Sequence, residues 1–256
     1  MSPRRPPRAW VGSARPVDPL DLAGPVGLTE EILRGEEDDQ AAPEGSPAFY
    51  WSLLTPERKA RIQSVVDARL QSVTVVLDRL LDPHNTAAIL RTAEGLGLAR
   101  AHVVRHKAGD DVAHRRVTQD AHKWLDISPH PSGALAVESL RSSGFEVWAG
   151  HLDPDARLYT ELPGDRPVAL LFGNEHEGPS RETLRACTGT FRIPMAGFTQ
   201  SFNVSVAAAI ALAQVVAARR LHLGKAGDLP EEARVHLRDR YTLLAARLAR
   251  RVKSRC

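Results

Sequence analysis

The sequence predicts an α/β fold with a mostly parallel sheet and helices on both faces. Two observations lead to this prediction. Residues 73–193 alternate short β-branched runs with segments of helical length, and parallel sheets are built from such alternation. The 256 residues, 43% of them hydrophobic, also suffice to bury a core in one large or two small domains.

The N-terminal 50 residues depart from this pattern. They hold eight prolines and the acidic block GEEDDQ, and they show little periodic apolar pattern. We expect residues 1–50 to form a mostly disordered arm with one short helix at LTEEILR. A helix is predicted over 55–70, because Thr55 suits the N-cap, Pro56 the first helical position and Glu57 the first turn.

The sheet and its helices are predicted from the alternating segments that follow. The expected strands are 73–78, 101–104, 125–128, 145–150, 168–172 and 190–193. The expected helices are 85–96, 111–121, 133–143, 180–187, 203–221 and a basic one at 230–251. Ligands of parallel sheets bind beyond the carboxyl ends of the strands, which directs attention to Leu152, Gly173 and Pro194.

Composition excludes several classes of protein. The uncharged run 203–218 has 16 residues, fewer than the roughly 20 that span a bilayer, and the N-terminus lacks the apolar segment of a signal peptide. Two cysteines, Cys187 and Cys256, form neither a disulfide framework nor a metal-binding spacing. We therefore predict a cytoplasmic protein that has no metal and does not bind membranes.

Charge is distributed unevenly along the chain. Residues 16–45 carry nine acidic residues and one arginine, whereas residues 219–256 carry eleven basic and four acidic residues, a net charge of +7. A concentrated basic terminus is typical of proteins that bind nucleic acid, although a solvated helix face would have the same composition.

Three polar stretches lie near the predicted strand ends. In LDPHNTAAILRTAEGLG, Asn85 is the expected N-cap, and Arg91 is either a surface arginine or a phosphate ligand. In GNEHEGPS, Gly173 permits close backbone approach, but the loop also reads as a polar turn before a helix capped by Ser180. In IPMAGFTQSFNVSVAAAIALAQ, a polar loop precedes a thin, uncharged helix suited to close packing.

Together these stretches resemble the three motifs of the SpoU, or TrmH-like, branch of the SPOUT RNA methyltransferases, in that family's order. The matching positions are Asn85 and Arg91, then Gly173, Glu175 and Gly178, then Ile193–Met195, Ser201, Asn203 and Ser205. The resemblance covers residues 55–222, and AHKWLDI, with Trp124, looks like the family's central segment.

This resemblance implies a fold and a cofactor. The implied domain, 51–222, has a C-terminal deep trefoil knot, and residues 223–256 form a basic helical extension. In the family, S-adenosyl-L-methionine lies bent in the knot, and the protein is a homodimer with the third motif's helix in the interface. The residues that would bind the cofactor here are Gly150, Leu152, Gly173, Asn174, Ile193, Met195, Ser201 and Phe202.

The resemblance also implies catalytic roles. Arg91 is the family's proposed base, and Asn85, Glu175, Ser201 and Asn203 would orient it and the ribose. Since a guanidinium keeps its proton above pH 12, binding a phosphate is the role easier to defend for Arg91, and His84 is an alternative base. The residues expected to contact RNA are His84, Arg219, Arg220, Arg247, Arg250 and Arg251.

The substrate class is expected to be RNA. Family members that modify guanosine 18 of tRNA flank a compact core with a short N-terminal and a basic C-terminal helix, a plan that residues 55–70 and 230–251 fit. Alternatives are a ribosomal RNA 2′-O-methyltransferase of the same family and an inactive SPOUT protein that binds RNA. A nucleotide-binding oxidoreductase is disfavoured because no G-x-G-x-x-G follows the first strand.

Overall fold

The computed structural model describes residues 45–104 and 121–253. The chain divides into two compact units, one of Gln63–Val235 and one of the segments up to Ile62 and from His236 onward. The boundaries fall inside two helices. The predicted arm up to residue 44 and the predicted helix at 111–121, apart from its last residue, lie outside the described residues.

The larger unit is built on one parallel sheet. Its strands are β1 (Val73–Asp78), β2 (Arg100–Val104), β3 (Asp126–His130), β4 (Glu146–Gly150), β5 (Arg157–Leu158), β6 (Val168–Gly173) and β7 (Gly189–Arg192). They lie in the order β3-β2-β1-β6-β4-β7-β5, and every described strand pairing is parallel. The predicted α/β class is thereby confirmed. β5 was not predicted, because two residues carry no periodic signal.

Eight α-helices lie in the described ranges. They are α1 (Pro47–Ser52), α2 (Pro56–Asp67), α3 (Pro83–Gly95), α4 (Ala121–Trp124), α5 (Gly133–Ser142), α6 (Arg181–Ala186), α7 (Val204–Leu223) and α8 (Glu231–Lys253). A 3-10 turn lies at Tyr159–Glu161. The predicted helices that fall within the described residues are found with shifts of a few residues at their ends, whereas the helix predicted at LTEEILR lies outside them.

Both faces of the sheet are buried, and the side chains of β6 show how. Val168, Leu170 and Phe172 enter the core that also holds the buried residues of α3 and α7. Ala169 and Leu171, between them, enter a second core with residues of α5 and α6. Alternation with a period of two is the geometry of a strand, so one run of apolar residues supplies two layers.

Helix α7 has the length and composition to cross a membrane, by those two criteria alone. Its buried residues are Ala208, Ala211, Leu212, Val215 and Val216. These positions recur at helical spacing and belong to the core of the larger unit, which is the pattern of a core helix.

A buried arginine, Arg69, connects separate segments of the larger unit. The side chain of Arg69 is only 1% exposed and forms an ion pair with Glu94 at 2.8 Å. It also donates to the main-chain oxygens of Glu94 and Leu98, at 3.1 and 2.9 Å. The guanidinium therefore adds donors to carbonyls at the end of α3 and just before β2, where no further helical turn supplies them.

The smaller unit contains α1, the first half of α2 and most of α8. Ser46 caps α1 by accepting a hydrogen bond from the main-chain N–H of Phe49 at 3.1 Å. The guanidinium of Arg238 lies over the ring of Trp51, 5.5 Å from its centroid, in a cation–π contact. Aromatic and basic residues thus stabilise this unit together.

We predict that Arg69→Met lowers the free energy of unfolding by about 3–5 kcal/mol, because it leaves a half-buried carboxylate and several carbonyls unpaired. The matched control is Arg100→Met, which breaks an exposed ion pair with Asp126 and is expected to cost under about 1 kcal/mol. Urea unfolding followed by tryptophan fluorescence measures both. Equal effects of the two substitutions would show that Arg69 is not needed for the fold.

Candidate active site

A cavity of about 500 Å³ opens at the carboxyl ends of β4, β6 and β7; we call it the strand-end cavity. Its walls are the three loops that follow these strands and the first turn of α7. The lining residues are Gly150–Leu152, Phe172–Gly178, Phe191–Ile193, Met195, Gln200–Val204 and Ala207. The position agrees with the rule for ligand sites in parallel sheets, and the volume suits a small organic cofactor.

The loop after β6 is shaped by two glycines and an asparagine. A Cβ at Gly173 would lie 2.2 Å from the main-chain nitrogen of Pro179, so this position admits no side chain. Gly178 has a φ of +69°, which glycine adopts without strain. Between them, the side-chain oxygen of Asn174 accepts the N–H groups of His176 and Glu177 at 2.8 and 3.2 Å. The sequence therefore folds this loop back on itself against the strand end.

A chain of hydrogen bonds joins the three polar stretches. The side-chain nitrogen of Asn85 donates to Glu175 at 2.9 Å, and that of Asn203 donates to the side-chain oxygen of Asn85 at 3.1 Å. The side-chain oxygen of Asn203 accepts the N–H and hydroxyl of Ser205 at 2.9 and 2.6 Å. Residues separated by 90 and 118 positions in the sequence thus form one network beside the strand-end cavity.

Asn85 does not cap α3, contrary to the sequence prediction. Asp82 is the N-cap: its carboxylate accepts the main-chain N–H of His84 at 2.8 Å, and Pro83 takes the first helical position. Asn85 lies inside the first turn and is buried. Its amide is therefore available to link Glu175 with Asn203.

The carboxylate of Glu175 is held by donors from the loop before α3. Besides Asn85, the main-chain N–H groups of Leu81 and Asp82 donate to it at 2.9 and 3.3 Å. Partial burial by itself raises the pKa of Glu175, but the hydrogen bonds from Asn85, Leu81 and Asp82 outweigh it and lower the pKa below its ordinary value. Glu175 is thus an anionic anchor between the loops after β1 and β6.

The structure brings together most of the residues that the sequence singled out. All eight predicted cofactor residues line the strand-end cavity, and so do Glu175, Ser201 and Asn203. Arg91 and His84 are exposed and are not among the lining residues. Arg91 lies six positions after Asn85 on α3, outside the cavity wall. The roles assigned to all these residues remain predictions.

Two of the arginines predicted to contact RNA bind the protein itself. Arg219 donates to the hydroxyl of Ser72 at 2.8 Å. Arg220 donates to the main-chain oxygens of Leu96 and Ala226 at 2.9 and 2.8 Å, and burial lowers its pKa. These contacts argue against the RNA contacts predicted for the pair. Arg247, Arg250 and Arg251 lie on α8, but their side chains are outside the described part of the structure.

Several lining residues were not anticipated from the sequence. They are Phe172, His176, Glu177, Phe191, Arg192, Val204 and Ala207. All lie within a few positions of a predicted site residue. The strand-end rule applied to whole loops would have found His176 and Glu177, whereas the others belong to strand ends or to the first turn of α7. No group of three or more residues able to bind a metal ion is found in the described ranges.

Comparison with known proteins decides the family. Residues 72–213 match the SpoU rRNA Methylase family. The chain belongs to the SpoU methylase family. The matched region of this SpoU methylase extends from just before β1 into α7 and includes all three segments of the hydrogen-bonded network.

Relatives of this SpoU methylase include tRNA- and rRNA-modifying enzymes. It is 40% identical over 158 residues to a tRNA (guanosine(18)-2′-O)-methyltransferase of Thermus thermophilus, covering 62% of this chain and 81% of that protein. The crystal structure of the A. aeolicus TrmH/SpoU tRNA modifying enzyme superposes with a TM-score of 0.63 at 26% identity, covering 73% of this chain and 95% of that one. An AdoMet-bound rRNA methyltransferase from Sinorhizobium meliloti has a TM-score of 0.53 at 28% identity, covering 63% and 60%.

We predict that Glu175→Gln destabilises the SpoU methylase by about 1 kcal/mol at pH 7, since the amide group turns one acceptor oxygen into a donor facing another donor. Because the folded pKa of Glu175 is lowered, the stabilisation is complete above the unfolded pKa and is lost as the pH falls through the folded pKa. The difference between wild type and variant should therefore shrink in acid.

Thermal unfolding of both proteins at pH 7, 5 and 3 measures this difference. Glu182→Gln, at an exposed position on α6, is the matched control and should show little effect at any of the three values. A difference between wild type and Glu175→Gln that stays constant from pH 7 to 3 would contradict the anchoring role.

Proposed function

We propose that this protein transfers a methyl group from S-adenosyl-L-methionine to the ribose 2′-hydroxyl of guanosine 18 in the D-loop of tRNA. The network of Glu175, Asn85 and Asn203 carries the proposal, because its hydrogen bonds join the three motif segments beside one cavity, which the second and third segments line. The relative from Thermus thermophilus is named for this reaction, and the sheet of the A. aeolicus tRNA modifying enzyme resembles this one.

The strand-end cavity fits the cofactor. Its volume lies within the range of small-molecule sites, and its lining combines apolar side chains such as Phe172, Ile193 and Met195 with the main-chain groups of three loops. Gly173 lets the loop after β6 fold back against its own strand end, and so shapes this wall of the cavity. Main-chain groups of Gly150–Leu152, Gly173–Glu175 and Ile193–Phe202 would hold the adenine. The cofactor supplies an activated methyl group whose transfer leaves a neutral thioether.

The protein must align the acceptor and manage one proton. No acid is needed for the leaving group, so positioning makes the largest contribution. Arg91 is exposed on α3, outside the cavity, where it can bind an RNA phosphate and favour ionisation of the 2′-hydroxyl. His84, one position before Asn85 and also exposed, is the second candidate to accept the proton. Glu175, Asn85, Ser201 and Asn203 hold the ribose side of the site.

The basic C-terminus is proposed to supply RNA affinity by neutralising phosphates. Residues 219–256 carry a net charge of +7, but Arg219 and Arg220 bind the protein, so we assign this role to α8 and the residues after it. Accordingly, 51–222 is proposed as the methyltransferase domain and 223–256 as an RNA-binding extension. The disordered arm predicted over 1–50 is proposed only for residues 1–44, because α1 begins at Pro47. Bacterial relatives that act on tRNA support a cytoplasmic location.

A ribosomal RNA substrate is the second candidate. The S. meliloti enzyme is an rRNA methyltransferase, and the family is described by rRNA methylation. The present chain covers only 60% of the S. meliloti enzyme, whereas it covers 95% of the A. aeolicus tRNA modifying enzyme. The tRNA substrate is therefore the better supported of the two.

We also propose a deep trefoil knot in the C-terminal third. The strand order supports it, because β6 lies between β1 and β4 and β7 lies between β4 and β5, so the chain returns twice into the sheet that earlier strands have formed. Membership of the SpoU methylase family supports it as well.

A homodimer is proposed through helix α7. Opposite its buried side, the helix exposes Val206, Ala213, Ala217 and Leu221, with the half-buried Ile210 in the same row. This row is apolar and uncharged over four turns, a surface that monomers usually avoid exposing. Phe198 and Phe202, in the loop that leads into the helix, are exposed next to it in sequence. Two copies packed about a two-fold axis would bury these surfaces.

We expect the purified protein to transfer tritiated methyl from S-adenosyl-L-methionine to unmodified tRNA transcripts, with mass spectrometry placing the methyl group on the ribose of guanosine 18. A transcript with 2′-deoxyguanosine at position 18 lacks the acceptor hydroxyl and should remain unlabelled. Labelling of ribosomal RNA in place of tRNA would support the second candidate.

In the same assay, Arg91→Ala should lower the rate about a hundredfold or more, since alignment of the acceptor is lost. Calorimetric binding of S-adenosyl-L-methionine should stay within about twofold of wild type, because Arg91 does not line the cavity. Arg181→Ala, an exposed arginine on α6, is the matched control. Joint loss of transfer and cofactor binding in Arg91→Ala would contradict its placement on the RNA side.

For the dimer, we predict that Ala217→Arg yields a monomer by light scattering, because an unpaired cation in a desolvated interface costs several kcal/mol. Ala217 is exposed, so the subunit itself should fold normally. Leu135→Arg, at an exposed apolar position on α5, is the control and should leave a dimer. A wild type that is monomeric at micromolar concentration would remove the interface from consideration.

A further inference from the structure

Arg192 is a cavity residue to which neither the motifs nor the network gives a role. It is the last residue of β7, it is exposed, and it lines the strand-end cavity. Its Nε donates to the main-chain oxygen of Ala156 at 3.3 Å. This bond fixes the guanidinium near the start of β5 and uses one of its five N–H donors.

Charge is divided across the cavity. Among the lining residues, all of which the structure describes, Arg192 alone carries a permanent positive charge. Glu175 lies in the loop after β6, with its carboxylate held by Asn85 and two main-chain N–H groups. In the sheet, β4 separates β6 from β7, so the two charges belong to strands about 10 Å apart. An asymmetric ligand therefore meets opposite charges on the two sides.

We propose that Arg192 binds the carboxylate of the methionyl portion of S-adenosyl-L-methionine and so fixes the direction in which the cofactor lies. This inference rests on the proposed function. The cofactor has one carboxylate and two cationic groups, the ammonium and the sulfonium. A planar guanidinium matches a carboxylate by two parallel hydrogen bonds, and the side of Glu175 repels that group.

The consequence is a division of work within the cavity. Arg192 retains the end of the cofactor that does not react, on the side of β7. The methyl group then lies on the opposite side, where Asn85 is hydrogen-bonded to Glu175 and Asn203. Arg91, outside the cavity, is the residue proposed to bind the RNA there. By binding the carboxylate, Arg192 would thus orient the methyl group of the cofactor toward the RNA.

The test compares two ligands that differ by one group. Calorimetry measures binding of S-adenosyl-L-methionine and of decarboxylated S-adenosylmethionine, which keeps the sulfonium and the ammonium but lacks the carboxylate. Wild type should prefer the complete cofactor by about tenfold, the effect expected of a charge-assisted pair in a half-exposed site. Arg192→Gln should weaken the complete cofactor by about tenfold and leave the decarboxylated ligand within about twofold.

Arg157→Gln is the matched control, because it removes a positive charge from an exposed residue of the neighbouring strand β5 that does not line the cavity. It should preserve the preference for the complete cofactor. The proposal is overturned if Arg192→Gln weakens both ligands equally, which would indicate a structural role, or weakens neither. A wild type that binds neither ligand would overturn the cofactor itself, and with it the proposed function, whereas a wild type that binds both equally contradicts only the role of Arg192.

Discussion

The arrangement of the site depends on the hydrogen bonds that the carboxylate of Glu175 accepts. Three parallel strands end at the same edge of the sheet, and each is followed by a polar loop whose donors need partners away from the backbone ladder. Glu175 accepts from the loop that precedes α3, and through Asn85 it reaches the start of α7. A single anion thereby fixes loops that are remote in the sequence, and the cavity between them keeps its shape.

Arginine has two different uses in this chain, and burial tells them apart. Arg69 and Arg220 donate to main-chain carbonyls at the C-terminal end of α3, where a planar group with several donors supplies partners that the helix itself does not. Arg91 and Arg192 are exposed at the site. A count of basic residues overstates the charge available to RNA, because part of it holds the protein together.

The sequence permitted prediction of the elements more readily than of their arrangement. β1 was predicted at its observed bounds, since a buried strand between polar residues has a strong local signal. The cap of α3 was misplaced because Asp82 and Asn85 are both good capping residues and only the fold decides which is free. The strand order has no local signature at all. The set of site residues came from motif resemblance, while their hydrogen-bond partners, and the protein-binding role of Arg220, depend on contacts between distant segments.

β6 is synthesised long after β1, so the pairing of these two strands must wait until late in synthesis on the ribosome. β1 pairs with β6 from Val73 to Val168, a separation of 168 − 73 = 95 residues. At ordinary rates of synthesis this interval lasts roughly 5–20 s, during which β1 has a partner only on the side of β2. An apolar strand with an open edge is a site for unwanted pairing. The nascent chain therefore passes through a period in which β1 is paired on one side only, and the cavity can form only after β6 and β7 have entered the sheet.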